Sequence, residues 1–294
     1  MIHTIAVPPD SQNTPLLRAY EQALAAKRRQ LALGFALALA ALFVAGVGAE
    51  VDLVTLWDKI GNFTSYFARM VHLDSGGWVW SNPREWFWGL GRWTRLLGET
   101  LLIAYVGTIT GAIAGFLGCF LASRNLVRSP VLGFVARRLL EFCRGVPDIV
   151  FAMIFVVAYG IGALPGVLAL ALHTTGALGK LFSEVVENID MEPVDGIAAT
   201  GATWVERVRF AVLPQVLSNF ASYTLLRFEI NVRGATVIGF VGAGGIGQEF
   251  LTAIRSFYYS DISAILLLIT GCVMLIDLLS EWLRHRLLAL ETRP

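Results

Sequence analysis

Residues 31–49 run for nineteen positions without a charged side chain. At 1.5 Å of rise per residue, such a run can cross the hydrocarbon of a bilayer as one helix. Further apolar runs, each with at least one charge, cover 96–122, 147–161, 165–183, 213–241 and 262–283. Hydrophobic residues make up 56% of the chain and charged residues 15%. Soluble domains hold roughly 45–50% and about 25%. So few charges cannot solvate so much apolar surface. The expected fold class is all-α, a polytopic membrane protein with about six transmembrane helices.

The heptapeptide 160–166, Gly-Ile-Gly-Ala-Leu-Pro-Gly, divides one long apolar stretch into two short helices, because glycine and proline do not sustain a helix interior. Loop charge sets the orientation. Residues 1–30, 123–145, 184–212 and 284–294 hold 14 Lys and Arg together, whereas 50–95 and 242–261 hold 6. The positive-inside rule puts the first set, and both termini, in the cytoplasm. The expected organisation is a cytoplasmic N-terminal segment 1–30, a first transmembrane helix 31–49 and an extracytoplasmic Trp-rich segment 50–95. A transmembrane domain 96–283 follows, with a cytoplasmic loop at 184–212, and then a cytoplasmic tail 284–294. The 30-residue leader is long for a cleavable signal, so 31–49 reads as a retained span. Trp57, Trp78, Trp80, Trp86, Trp88 and Trp93 suit either a membrane–water interface or the packing of a small lobe.

Several function classes drop out. Twenty-three basic and 22 acidic residues leave a net charge of +1, which is no electrostatic footprint for nucleic acid. Cys119, Cys143 and Cys272 lack metal-ligand spacing. There is no GxxxxGK[ST] phosphate loop, no HExxH and no Ser/His/Asp or paired-carboxylate pattern, so no catalytic, cofactor or metal residue is assigned. Gly242-Ala-Gly244-Gly245-Ile-Gly247 satisfies GxGxxG, with Asp261 further on. No strand–helix alternation surrounds it, as a dinucleotide fold requires. A broken or closely packed helix end fits better, since irregular backbone at membrane depth is tolerated where it lines a cavity. Gly107, Gly111 and Gly115 form a small-residue stripe for helix packing, within the chain or at a dimer face.

The most polar interruption is 184–214, with six acidic residues from Glu184 to Glu206. A short helix is expected over 184–190. Pro193 can open a second, where its missing N–H is harmless. Gly201 permits a turn with positive φ. Thr203 can cap a third helix, with Glu206 at the capping-box position, and Pro214 starts the fifth span. The result is a compact helix–turn–helix on the membrane surface.

Charge also lies inside the fifth span. Arg227 stands 14 residues past Leu213, about 21 Å along a helix. Such a charge faces a bundle interior or a water-filled path. Glu229 and Arg233, four apart, can pair. Arg227 and Asn231 share a nearly opposite face. The helix carries net positive charge, which attracts an anion, and the guanidinium fork suits phosphate-like oxygens. A structural ion-pair lattice is the other reading of these charges. His173 can bond across helices or touch a substrate.

Residues 184–214 resemble the coupling loop of ATP-binding-cassette (ABC) importer permeases: Glu-Ala-Ala, three residues, Gly, nine residues, Ile, one residue, Leu-Pro. Gly201, Leu213 and Pro214 match in register, and Asp195, Gly196, Ile197 and Ala211 stand at the remaining positions. The string Arg-Phe-Glu-Ile-Asn-Val-Arg at 227–233, Ala-Thr-Val at 235–237 and the glycine cluster at 242–247 resemble the phosphonate permease branch. So do His-Thr-Thr-Gly at 173–176 and Arg-Gly-Val-Pro at 144–147. The resemblance covers roughly 96–283. It implies a type I importer permease fold, as in methionine permeases, in the inner membrane. It implies coupling to an ATPase through Glu192, Asp195, Gly196, Gly201, Ala202, Leu213 and Pro214. It also implies a translocation path past Arg227, Glu229, Asn231, Arg233, Gly242, Gly244 and Gly245. The implied partners are two ABC ATP-binding subunits carrying ATP and Mg, a substrate-binding protein and a second copy of this chain. The implied cargo is phosphonate or a related phosphorus oxyanion, moved by alternating access. The alternatives are a permease for phosphite, phosphate or another small solute and, from a different class, a membrane enzyme or channel.

Overall fold

A computed structural model describes residues 10–127 and 129–291. The first nine residues of the expected N-terminal segment, Arg128 of the basic loop and the last three residues of the tail lie outside the described residues. The chain divides into two compact units between residues 65 and 66.

The first unit is dominated by helix α1 (Asp10–Gly48), 39 residues long. It begins well before the charge-free run, because the leader is rich in Leu, Ala, Glu, Lys and Arg, which sustain a helix. Its apolar stretch, Leu17–Gly48, is long and hydrophobic enough to cross a bilayer. Asp52 caps the short α2 (Leu53–Asp58), accepting from the amides of Val54 and Thr55 at 2.9 and 3.1 Å. The Thr55 hydroxyl adds a further bond, and together these hold the Asp52 carboxyl below its usual range. Helix α3 (Ile60–Met70) leads out of this unit.

The second unit opens with a small lobe. His72 and Trp78 form a bridge across the Gly76–Gly77 turn, and α4 (Pro83–Trp86) follows. The transmembrane bundle comprises α5 (Leu90–Ala122), α6 (Pro130–Gly145), α7 (Asp148–Tyr159), α8 (Ala163–Glu187), α11 (Leu213–Ile238) and α13 (Tyr259–Glu291). Between them stand α9 (Glu192–Ala199), α10 (Trp204–Arg207) and α12 (Ile246–Arg255). Three described helices are each long and apolar enough to cross a bilayer, and the number is up to five if each of two bent pairs is one span. Helix α8 has 25 residues, enough length for a span, but His173, Thr174, Thr175 and Lys180 dilute its apolar character. With α8, the described residues hold about six candidate spans, α1 among them.

Two expectations need correction. The basic stretch 123–145 is not a loop. Ser129 accepts from the Leu132 amide at 3.4 Å and Pro130 opens α6, which is bent 86° from α7. The 12-residue α7 is too short to span alone. The helix expected over 184–190 is also not separate. Its first four residues are the last turn of α8, since nothing before Asn188 breaks the helix.

The break at 160–166 is real but shorter. Gly160 and Gly162 take φ of +86° and +152°, and the Gly162 amide donates to Gly242 O at 3.0 Å. One helix break therefore docks on the other.

The α5–α8 seam organises the bundle. A Cβ on Gly111 would stand 2.6 Å from Thr174 Cβ, so hydrogen is the only side chain this crossing admits. The stripe Gly107–Gly111–Gly115 is thus used within the chain, against Leu170, Thr174 and Gly179. Gly111→Leu is expected to force the helices apart and destabilise the bundle by about 3 kcal/mol or more, read as a fall in the thermal unfolding midpoint in detergent. Gly34→Leu, in open space on α1, should leave the midpoint unchanged.

Candidate functional site

The middle of the bundle holds a polar knot. Thr174 lies near the centre of the 25-residue α8. Its hydroxyl accepts from Asn231 Nδ2 at 2.8 Å and from Arg227 Nε at 3.4 Å. The same Asn231 amide nitrogen donates to Thr108 Oγ1 of α5 at 2.8 Å. Asn231 is 1% exposed, so its amide ties α5, α8 and α11 together. Arg227 and Asn231 are one turn apart on α11 and share this face.

The Arg227 guanidinium is half-buried. Among the described residues it makes no ion pair within 4.0 Å. Asp148 lies within its electrostatic reach. Asp148 opens α7, accepts the Ile149 amide at 2.8 Å, and approaches α11 where Gly234 leaves room: a Cβ there would stand 3.1 Å from Asp148 Oδ2. His173 is oriented by a 3.0 Å contact between Nδ1 and Val146 O. The site is therefore one cation with a carboxylate nearby, an imidazole and hydroxyls, midway along α8 and α11. It can hold an anion by charge and by guanidinium hydrogen bonds.

Glu229 and Arg233 do pair, on the other face of α11, and Arg233 Nη2 also reaches Asp277 of α13 at 3.4 Å. The structure thus separates the four intramembrane residues of this helix into two groups. The glycine cluster forms a third place. Gly242, Gly244 and Gly245 all have positive φ. The Ile246 amide donates to Thr100 Oγ1 at 2.9 Å, and a Cβ on Gly245 would collide with that hydroxyl. Only glycine satisfies both the conformation and the approach. Glu99 lies against Gly244.

At the opposite end of the bundle, α9 and α10 form the helix–turn–helix. Pro193 stands in the first turn of α9, Gly201 has φ +84°, and Thr203 and Glu206 complete a capping box. Glu192, Asp195, Gly196 and Gly201 are exposed and Ala202 is half-buried, whereas Val194 is 3% exposed and enters a core with Phe120, Phe182, Val212 and Phe220. Trp204 Nε1 donates to Leu126 O at 3.1 Å, and Gln215 clasps Asp190 through two bonds of 3.0 and 3.1 Å. Leu213 packs on the same core, with Pro214 exposed beside it. A push on the exposed face therefore reaches α5, α8 and α11 directly. Thr203→Ala should remove the cap, worth about 1 kcal/mol, and speed amide exchange over residues 204–212 about fivefold.

Sequence reasoning missed Asp148, Thr108 and Asp277. Asp148 had a signal, a lone carboxylate after Pro147 at the head of an apolar run. The two others had none, because each matters only through a helix distant in sequence.

Residues 107–289 match the family described as binding-protein-dependent transport system inner membrane component. The chain belongs to that family. It is a multi-pass inner-membrane transport subunit and not an enzyme. It is 37% identical over 276 residues to the phosphite transport system permease protein PtxC of Stutzerimonas stutzeri, covering 94% of this chain and 95% of that protein. It is 54% identical over 117 residues to the putative cryptic phosphonate transport system permease protein PhnE2 of Escherichia coli K12, covering 40% of this chain and 96% of that one. An inward-facing structure of the MetNI methionine ABC transporter shares the permease fold, with a TM-score of 0.58 at 20% identity over 70% of this chain and 98% of that chain.

Proposed function

We propose that this family member is the permease of an ATP-driven importer for phosphonate or a related phosphorus oxyanion. The observation that carries the reading is Arg227, a half-buried guanidinium at mid-span with no ion-pair partner within 4.0 Å among the described residues. An uncompensated cation at that depth is costly unless an anion visits it. The names of the phosphite and phosphonate relatives support the cargo class.

The assembly pairs this chain with a second copy, two ATP-binding subunits and a substrate-binding protein. ATP and Mg sit on the ATP-binding subunits. Both termini, α9 and α10 face the cytoplasm. Closure of the ATPases pulls the exposed face at Glu192, Asp195, Gly196, Gly201 and Ala202. Val194, Trp204 and Leu213 pass the displacement to the spans. ATP supplies the differential stabilisation that two access states require. Cargo released by the binding protein passes the docked glycine breaks at Gly242, Gly244 and Gly245 and meets Arg227. Asn231 holds Thr174 in place for that contact, and Asp148 is a nearby carboxylate that does not pair with Arg227. Glu229 and Arg233, with Asp277, form the charged wall on the other side of α11.

The test is ATP hydrolysis by the complex reconstituted in lipid with its ATPase and binding protein. The ligand panel is an alkylphosphonate, phosphite, phosphate and methionine. Stimulation by a phosphorus oxyanion and not by methionine is expected. Stimulation by methionine alone would overturn the cargo class. Failure of this chain to bind the ATPase would overturn the coupling surface.

A further inference from the structure

Helix α6 crosses the bundle at the end that carries α9 and α10. Arg137 Nη1 donates to the carbonyl of Ala122, the last residue of α5, at 2.9 Å. The Arg124 amide donates to Glu187, the last residue of α8, at 2.9 Å. Further along, Leu140 packs where Gly118 of α5 and Gly179 of α8 leave room. The 86° turn between α6 and α7 sets α6 across the direction of the spans.

Its two faces differ in kind. Gly133, Leu140 and Cys143 are buried against the bundle. Val131, Phe134, Leu139 and Phe142 are 71%, 56%, 61% and 60% exposed, although the Phe142 ring also meets Phe151 of α7 edge-on at 6.4 Å. Arginines stand on and beside this apolar face. Arg124 and Arg144 are exposed. The Arg138 side chain is 60% exposed, pairs with Glu141 at 2.6 Å and lies over the Phe134 ring at 5.3 Å. Of these three arginines Arg138 pairs with Glu141, and Glu187 holds the backbone amide of Arg124.

An apolar face that carries the Arg138 guanidinium, on a helix crossing α5 at its end and α8 at Gly176 and Gly179, matches a membrane–water interface. The rings and aliphatic chains suit the acyl boundary, and the guanidinium groups suit phosphodiester oxygens. We infer that α6 is an interfacial helix that binds anionic phospholipid. The leaflet is the cytoplasmic one, a detail that rests on the orientation proposed above. The lipid contact itself needs no transport, so the two readings can fail separately.

The test uses the full chain with Cys272→Ser, which leaves two buried native cysteines. A thiol-linked fluorophore is placed at Phe134→Cys on α6 or, as a control, at the exposed Val205→Cys on α10. The protein is placed in bilayer discs of phosphatidylcholine with phosphatidylglycerol. Nitroxide-labelled lipid should quench the α6 probe, and aqueous iodide should spare it. The α10 probe should show the reverse. The double variant Arg138→Gln/Arg144→Gln, with an unchanged unfolding midpoint, should retain roughly tenfold less phosphatidylglycerol through purification. A probe at 134 as open to iodide as the one at 205 would overturn the proposal. So would shielding from both quenchers, which means that protein covers this face, or undiminished phosphatidylglycerol in the double variant.

Discussion

Arg227→Met is expected to lower cargo uptake about ten- to a hundredfold while leaving the complex assembled. A hydrogen bond to a charged group contributes about 1.5–3 kcal/mol, and each 1.4 kcal/mol is about tenfold. Methionine keeps the length of the side chain and removes both charge and fork. The contact with Thr174 is long, 3.4 Å, so its loss should not unfold a bundle held by the shorter Asn231 bonds. Arg227→Lys should fall between the two, because an ammonium keeps the charge without the planar donor pair. The measurement is uptake of radiolabelled phosphonate or phosphite into proteoliposomes, with ATPase binding as the control for assembly. Wild-type uptake by Arg227→Met would remove this residue from the path.

Asp195→Lys combined with Gly201→Val should abolish ligand-stimulated ATP hydrolysis and leave the affinity of the binding protein for its ligand untouched. Asp195 is exposed on α9, so reversing it changes the surface proposed to meet the ATPase and not the core. Gly201 has φ +84°, a conformation that opposes a β-branched residue by about 1–3 kcal/mol. The turn between α9 and α10 must then change shape. Each change weakens docking from a different direction, and together they should uncouple the two subunits. A channel of the same fold would still pass solute, since it has no use for this elbow. Retained stimulation in the double variant would show that force enters the spans elsewhere.

Much of this elbow was legible in advance. Pro193, Gly201, Thr203 and Glu206 act through local backbone chemistry, so reading them needs only their spacing. The capping box formed as expected, and the break around Gly160 was visible because glycine and proline interrupt apolar runs. The α6 helix was not legible. Its arginines read as a basic loop, and only the 86° turn separates an interfacial helix from a connector. The glycine cluster at 242–247 showed itself as a broken helix end. That Thr100 and Gly162 seal it depends on residues far away in the chain.

The sequence by itself determined that this chain is a helical membrane protein, which runs are apolar enough to cross, and that a polar elbow interrupts them. Hydrocarbon permits few backbone solutions and local chemistry marks where each ends. Only the tertiary structure decided which intramembrane groups meet. Arg227 and Arg233 lie six residues apart on one helix. One is turned to Thr174 and Asn231, the other to Glu229 and Asp277. That division is set by the rotation of α11 against α5, α8 and α13, where a small residue such as Gly234 lets Asp148 and Leu170 approach. Close packing of this kind is a property of pairs of helices, and no single stretch of sequence contains it.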